Sequence, residues 1–305
     1  MRVVIVGTGA MGCLLAARLC RVCEVVLYNI NQSVVDIINR HGIRIAELGG
    51  EQVTYSIPAV TSSLGYEQWA DLALMCTKSR ATEIAVGAAS DFLQPNGYVL
   101  SLQNGLGNYD VLCAALGASR VIAGVTSQAA TVLSPGLVRH AGEGPTYMGG
   151  EHAGLDKIVR MFNRAGIATS RHDNVDSLIW GKLVVNVGIN GLTALLRVPN
   201  GALPHHAASM DLMRQLVREA VSVARAQGVE LPFQDPLEQV VTVCHNTSRN
   251  RSSMLQDILR GALTEIDVIN GAIVKKGAEV GVPTPVNTMI VQLIHALEET
   301  YSQQV

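Results

Sequence analysis

The sequence predicts an α/β chain: a doubly wound, mostly parallel sheet over residues 1–173, followed by an all-helical domain over residues 174–305. Three observations carry this. A β-branched run at the start turns directly into a glycine-rich loop and an apolar helix. Apolar runs of strand length then alternate with helical segments up to about residue 170. Beyond Val175 apolar positions recur only at helical spacing, and no strand pattern appears.

Met1–Val6 reads as a short strand buried on both faces. Gly7-Thr8-Gly9-Ala10-Met11-Gly12 follows, then an apolar helix over Cys13–Cys20 and a second strand over Val25–Tyr28. In this GxGxxG loop Gly7 permits the tight turn, Gly9 lets the backbone approach a pyrophosphate, and Gly12 allows close helix–strand packing. The helix N-terminus adds N–H donors and a positive dipole end. Strand, loop, helix and strand together form a Rossmann-type dinucleotide-binding unit, with residues 7–12 as its cofactor contacts. The end of the second strand reads the ribose: an acid there binds the 2′-hydroxyl of NAD, an Arg the 2′-phosphate of NADP. Leu27-Tyr-Asn-Ile-Asn-Gln32 holds neither, so the choice stays open at this point.

Leu72–Thr77 is the next buried strand and ends at Lys78. Gly97–Leu102 ends at Gln103-Asn104-Gly105, and Val121–Thr126 follows after a helical segment. Ligands of such sheets bind beyond the carboxyl ends of the strands. Lys78 at that edge suits a cofactor phosphate, and Asn104 a nicotinamide ribose or a substrate; a solvated lysine and a plain Asn-Gly turn are the alternatives. Ser134–Gly150 reads as short antiparallel strands added to the sheet's edge. Leu155–Ala165 is helical, Ile167–Ser170 a last strand, and His172–Val175 the domain joint.

The second domain is expected as helices over Ser177–Leu195, Ser209–Gln227, Leu237–Cys244, Ile258–Glu279 and Thr288–Tyr301. Pro232, Pro236, Pro283 and Pro285 mark its connections. Within Trp180–Asn190 the background is apolar, yet Lys182, Asn186 and Asn190 recur every fourth position, forming one stripe on a helix. Such groups are costly inside an apolar helix unless they find partners or line a wet cavity. The stripe is therefore a candidate site wall lining the cleft between the domains. A snorkelling lysine with two core amides is the competing reading.

Composition excludes other classes. Hydrophobic residues make up 48% and charged ones 16%, which supports a large core. A net charge of −2 without any Lys/Arg run argues against nucleic acid. No apolar stretch approaches the ~20 residues of a membrane span, and the N-terminus enters its glycine loop before a signal-peptide core could form. A soluble cytoplasmic protein is expected. Six cysteines stand at 13, 20, 23, 76, 113 and 244. The Cys20–Cys23 CxxC lacks a second pair and sits at a helix end, so these read as structural thiols, and no metal site is expected. His205-His206 reads as a polar loop pair.

The motifs occur in a telling order: Gly7–Gly12, Thr77-Lys78, Gln103-Asn104-Gly105, Trp180-x-Lys182-x3-Asn186-x3-Asn190, Leu192-Thr-Ala194 and Pro199-Asn200-Gly201. Ser252-Ser-Met-Leu-Gln-Asp257 and Thr264-Glu-Ile-Asp267-x2-Asn270-Gly271 complete the series. Over essentially the whole chain this closely resembles the ketopantoate reductase (2-dehydropantoate 2-reductase) family; the last two segments are far more specific than the glycine loop. The resemblance implies NADPH-dependent reduction of ketopantoate to pantoate, a step of pantothenate and coenzyme A synthesis. It implies that Lys182 is the catalytic lysine, hydrogen-bonding the ketone oxygen and donating a proton, with Glu265 as its associated carboxylate. Asn186 and Asn190 match substrate-binding amides, Ser253 the serine on the substrate carboxylate, and Asn104 and Asn250 active-site asparagines. Lys78 matches a cofactor-binding lysine, and Asn104 and Glu265 are also expected to touch the cofactor.

Two positions depart from the family. The Arg that commonly grips the 2′-phosphate falls at Ile30 here, which leaves NADH open beside NADPH. The glycine that ends the first helix is Cys23. Burial would lower the Lys182 pKa toward neutrality, while an ionised Glu265 would oppose that, and either influence can win. A reductase of another 2-keto acid on this scaffold, or a dinucleotide-binding sensor without turnover, remain alternatives. Surplus apolar positions on Ser209–Gln227 and Thr288–Tyr301 allow a homodimer through the helical domain.

Overall fold

The structure, a computed structural model, describes residues 1–303; the final two residues of the expected helical domain lie outside them. The chain divides into two compact units. One comprises Met1–Gln103 and Asn108–Val175, the other Asn104–Gly107 with the chain from Asp176 onward.

The first unit begins with β1 (Arg2–Val6), α1 (Ala10–Leu19), β2 (Glu24–Tyr28) and α2 (Gln32–His41). Three short strands follow, β3 (Ile43–Ala46), β4 (Gln52–Tyr55) and β5 (Ala59–Val60), then β6 (Ala70–Met75) and α3 (Thr82–Phe92). β7 (Leu93–Ser101), α4 (Asn108–Leu116), β8 (Val121–Thr126), β9 (Ala129–Ser134) and β10 (Leu137–Gly142) continue it. β11 (Thr146–Gly149), α5 (Leu155–Arg164) and β12 (Thr169–Arg171) complete the unit.

The main sheet has the order β12-β11-β8-β7-β6-β1-β2-β5. From β5 through β8 every pairing is parallel, and β11 then joins β8 antiparallel. The apolar runs predicted as strands are buried on both faces, with side chains alternating between them. Val3, Ile5, Leu72 and Leu74 pack with Leu14 of α1 and Phe162 of α5. Val4, Val6, Ala73 and Met75 pack instead with Ala89 and Phe92 of α3 and Leu112 of α4. Each of the Val, Leu, Ile, Met and Phe side chains among these contributes roughly 1.5–3 kcal/mol on burial. Because the chain runs outward to β2 on one side of β1 and returns as β6 on the other, the strand order reverses between β1 and β6. That is where an open α/β sheet forms its ligand crevice.

The expectation for Ser134–Gly150 needs correcting. Only β11 from that stretch joins the main sheet. β10 pairs with β3, and with β4 and β9 forms a separate sheet of order β4-β3-β10-β9. The β3–β10 pairing joins residues more than 90 positions apart, Arg44 with Leu137, and no local pattern announces it. A polar cluster fastens this sheet to α1. The Arg18 guanidinium donates two bonds to Glu47, one of 2.6 Å, and lies 3.2 Å from His140 Nδ1. Arg18 holds the Glu47 carboxyl below its usual range, chiefly through these hydrogen bonds.

The second unit is helical: α6 (Val175–Leu196), α7 (Ala207–Ala226), α8 (Pro236–Asn246), α9 (Ser253–Ile258), α10 (Asn270–Val280) and α11 (Pro285–Glu299). α6 lies in the core of this unit. A Cβ on Gly188 would meet Val240 at 2.9 Å and one on Gly191 would meet Ile290 at 2.5 Å, so these glycines let α8 and α11 approach closely. α6 also overturns an expectation. At 22 residues, with a best window of mean hydropathy 1.4, it is long and apolar enough to cross a membrane. Two thirds of that window is buried inside the protein, and the helix carries Lys182, Asn186 and Asn190, so its apolar character serves a protein core.

The helix expected over Ile258–Glu279 is broken. α9 stops at Ile258, Gly261 takes a left-handed φ of +62°, and Ala262 N–H returns to the Asp257 carbonyl at 3.0 Å. This is a Schellman-type stop, which glycine favours because it has no Cβ to strain. The chain restarts as a 3₁₀ turn over Ile266–Val268 before α10, which leaves Glu265 at a turn, where it caps that short helix.

Candidate active site

In the first unit the glycine loop leads from β1 into α1 at the strand-order reversal. Gly7 has φ +106°, and a Cβ there would lie 2.8 Å from the Cys76 carbonyl carbon. A Cβ on Gly12 would lie 1.9 Å from the Gly7 oxygen. Both glycines are therefore required by the protein's own packing. Gly9 is different: its φ of −72° suits any residue, and a Cβ would meet nothing within 4 Å. Neither conformation nor packing asks for glycine at position 9, whereas a ligand backed closely against the loop does. α1 starts at Ala10, three residues before the expected Cys13, and Cys13 N–H is bonded to the Gly9 carbonyl at 3.0 Å. The N–H groups of Ala10, Met11 and Gly12 thus belong to a first turn that lacks intrahelical acceptors. The residues present fit a dinucleotide pyrophosphate.

At the end of β2 the neutral residues are already engaged. Asn29 donates to the hydroxyl of buried Thr8, and its Oδ1 accepts from Asn31 N–H at 2.8 Å. Asn31 caps α2 through Ser33 N–H at 3.0 Å. Ile30, between them, is 80% exposed. Lys78 follows β6 in extended conformation and caps the 3₁₀ turn over Ser79–Ala81. The cysteines near α1 are held by backbone: Cys20 Sγ donates to Ala17 and Cys23 Sγ to Leu19. Burial pushes the Cys23 thiol up to about 11, which suits a structural thiol.

In the second unit α6 places Lys182, Asn186 and Asn190 along one stripe spanning about 12 Å. Lys182 and Asn186 are half-buried and Asn190 is buried. Burial lowers the Lys182 pKa from 10.5 to about 8, while the Glu265 carboxylate pulls the other way. Desolvation outweighs that attraction. Asn104 reaches the same neighbourhood by backbone. Leu106 N–H bonds the Val268 carbonyl at 3.1 Å, in the 3₁₀ turn that Glu265 caps. Gly105 makes this approach possible, since a Cβ there would lie 2.3 Å from the Val268 oxygen.

The C-terminal end of the stripe meets α9. Thr193 Oγ1 donates to Ser252 Oγ at 2.7 Å, and Ser252 accepts from Leu255 N–H at 3.0 Å as the α9 cap. Ser252 is thus consumed by structure, while the adjacent Ser253 is exposed. Asn250 lies two residues before that cap, exposed on a loop fastened to the Pro199-Asn200-Gly201 turn. Asn200 N–H bonds the Asn250 carbonyl at 3.0 Å, Gly201 N–H the Ser248 carbonyl at 3.1 Å, and Asn200 Nδ2 the Thr247 hydroxyl at 2.9 Å. Thr193, Ser252 and Asn200 are supports that the sequence reading left without a role. Thr193 carries a legible signal, a polar residue between apolar Leu192 and Ala194, whereas Ser252 lies between Arg251 and Ser253 and carries none. Within this unit, then, Lys182 is paired electrostatically with Glu265, Asn104 is brought to the Glu265 turn, and the α9 start carrying Ser253 is tied to the Asn190 end of α6. An amine near neutrality on such a stripe can hold a carbonyl oxygen and release a proton to it.

Comparison with known proteins places these features in a family. Residues 3–152 match the family model described as ketopantoate reductase PanE/ApbA, and residues 174–298 its C-terminal model. The chain is 33% identical to a 2-dehydropantoate 2-reductase of Pyrococcus horikoshii over 302 residues, covering 98% of each chain. It is similar to the crystal structure of a PanE/ApbA family ketopantoate reductase from Ralstonia eutropha JMP134, with TM-score 0.91 and 33% identity, over 99% of this chain and 100% of that one. A ternary structure of D-mandelate dehydrogenase with NADH and anilino(oxo)acetate is also similar, with TM-score 0.91 and 28% identity over the whole of both chains. With family models over most of its length and a third of its residues shared with full-length relatives, the chain belongs to the ketopantoate reductase family of oxidoreductases.

Proposed function

We propose that this chain reduces 2-dehydropantoate to (R)-pantoate with NADPH, in the cytoplasm, as a step toward pantothenate and coenzyme A. The observation that carries the reading is Lys182: an amine with a pKa near 8, on a stripe with two amides and beside one carboxylate. The nicotinamide dinucleotide, when bound, supplies a hydride to the ketone carbon. The loop over residues 7–12 and the N-terminus of α1 hold the pyrophosphate, and Lys78 holds a phosphate. Lys182 donates a hydrogen bond to the ketone oxygen and gives it a proton as negative charge develops there. Below its pKa near 8 it is charged, and it recovers its proton from solvent. Glu265 orients the ammonium and, with Asn104, faces the cofactor. Asn186 and Asn190 hold the substrate's polar oxygens. Ser253 donates to its carboxylate, and Asn104 and Asn250 complete the amide set. These neutral donors bind an anion without adding a charge that would compete with Lys182.

A keto acid with an aromatic side chain is the second reading, favoured by the likeness to D-mandelate dehydrogenase. A panel of 2-keto acids, each followed by nicotinamide absorbance with NADPH and NADH, separates the two. Ketopantoate is expected to give the highest kcat/KM. Another keto acid about tenfold better would overturn the substrate, and no turnover with any member would leave a non-catalytic dinucleotide binder.

A further inference from the structure

Lys78 is flanked by two residues that one buried polar network holds in place. Gln103, just beyond β7, donates from Nε2 to the Thr77 carbonyl at 3.0 Å and to the Thr82 hydroxyl at 2.9 Å. The Thr82 hydroxyl donates to Asn108 Oδ1 at 2.9 Å, and Asn108 Nδ2 donates to Ser79 Oγ at 3.1 Å. Thr82 and Asn108 are buried, 1% and 6% exposed. The chain thus runs from the residue before Lys78 to the residue after it, by way of β7, α3 and α4. Lys78 itself is extended, with its carbonyl accepting from Ala81 N–H at 2.9 Å, so little of its backbone is left to vary.

We propose that Gln103, Thr82 and Asn108 are positioning residues for dinucleotide binding, holding the Thr77–Ser79 backbone so that Lys78 meets the cofactor phosphate in one geometry. The proposal rests on the cofactor role given to Lys78 above. The physical reason is the directionality of the network. An apolar filling would stabilise this corner as well, but it would not fix the Thr77 carbonyl and the Ser79 hydroxyl in direction. Neutral groups do this without a charge that would neutralise or repel a lysine–phosphate pair, and in a buried site each bond constrains its neighbours. Asn104, next to Gln103 in sequence, has a separate anchor through Leu106 and Val268. Loosening the network therefore acts on the cofactor more than on the keto acid.

The test is a double-mutant cycle on the full-length protein, with Kd for NADPH and NADH read from nicotinamide fluorescence and stability read alongside. Thr82→Val removes the hydroxyl at nearly constant volume, and Thr82→Ser keeps it. Thr82→Val is expected to weaken binding of the preferred dinucleotide about tenfold, with kcat at saturation and the keto-acid KM within about twofold. Thr82→Ser restores binding. In a Lys78→Ala background, Thr82→Val has no further effect. Equal weakening in both backgrounds, or lost stability with unchanged Kd, overturns the proposal. If Lys78→Ala itself leaves Kd unchanged, the cofactor role of Lys78 falls first and this inference with it. Gln103→Met gives the same readout should Thr82→Val not fold.

Discussion

The position of Lys182 between burial and Glu265 leads to a prediction that can be followed quantitatively. Burial is the larger influence and takes the amine from 10.5 to about 8 despite the nearby carboxylate. At ~1.4 kcal/mol per tenfold, that is about 3 kcal/mol in favour of the neutral amine. As a proton donor Lys182 must be charged, so kcat/KM for keto-acid reduction is expected to be flat below about pH 8 and to fall tenfold per pH unit above it. Oxidation of the hydroxy acid should show the mirror image. Glu265→Gln removes the opposing attraction and should move the alkaline limb down by about one pH unit, leaving the rate at pH 6 little changed and lowering it about fivefold at pH 8. The same shift has a stability consequence. Between about 8 and 10.5 the unfolded chain binds more protons than the folded one, so ligand-free stability should rise with pH across that window. Lys182→Met should remove this rise and abolish most of kcat while the protein still binds dinucleotide. Rates by nicotinamide absorbance from pH 6 to 10, with urea unfolding over the same range, test all of this. A wild-type profile without an alkaline limb would refute Lys182 as the acid. A limb that moves upward in Glu265→Gln would refute the carboxylate as its counter-charge.

Two other predictions follow from the first unit. Ile30 stands exposed at the position where the family resemblance implies an Arg, and no cation follows β2 in its place. Ile30→Arg should raise kcat/KM for NADPH about 30-fold and leave NADH nearly unchanged, since a unit charge ~4 Å from a phosphate at an effective dielectric of ~40 is worth about 2 kcal/mol. The gain should shrink with added salt, and an unchanged NADPH/NADH ratio would show that the ribose lies elsewhere. Glu47→Gln should destabilise the protein by about 2–3 kcal/mol at neutral pH, because it breaks a largely buried pair and leaves Arg18 uncompensated. As the Glu47 pKa is lowered in the fold, its contribution is present above the unfolded value and is lost as pH falls through the folded one. The difference from wild type in urea midpoint should therefore close in acid, and a pH-independent gap would point to packing instead.

The sequence by itself determined those features that local pattern specifies. Strand, glycine loop and helix were readable at residues 1–28 because turn, backbone approach and packing each demand a residue type at fixed spacing. The Lys182–Asn190 stripe was readable because helical periodicity puts every fourth residue on one face. Helix limits were legible to within a few residues wherever a single apolar face persisted, as in α7 and α8. Where two local signals competed, the tertiary structure decided. Apolar periodicity ran on through Ile258–Glu279, but Gly261 stopped the helix by adopting a left-handed conformation and left Glu265 at a turn.

What only the tertiary structure decided were pairings between residues far apart in sequence and the balance of burial against charge. Nothing near Arg44 or Leu137 announces that β3 and β10 pair, because strand partners are chosen by the rest of the core. Nothing near Thr77 announces that Gln103 and Asn108 hold its loop. Whether Lys182 is a fixed cation or an acid near neutrality depends on how deeply the fold buries the amine relative to how strongly Glu265 attracts it. Spacing along the chain contains neither quantity. In the folded protein desolvation is the larger, and that makes Lys182 suited to the proton transfer proposed for it.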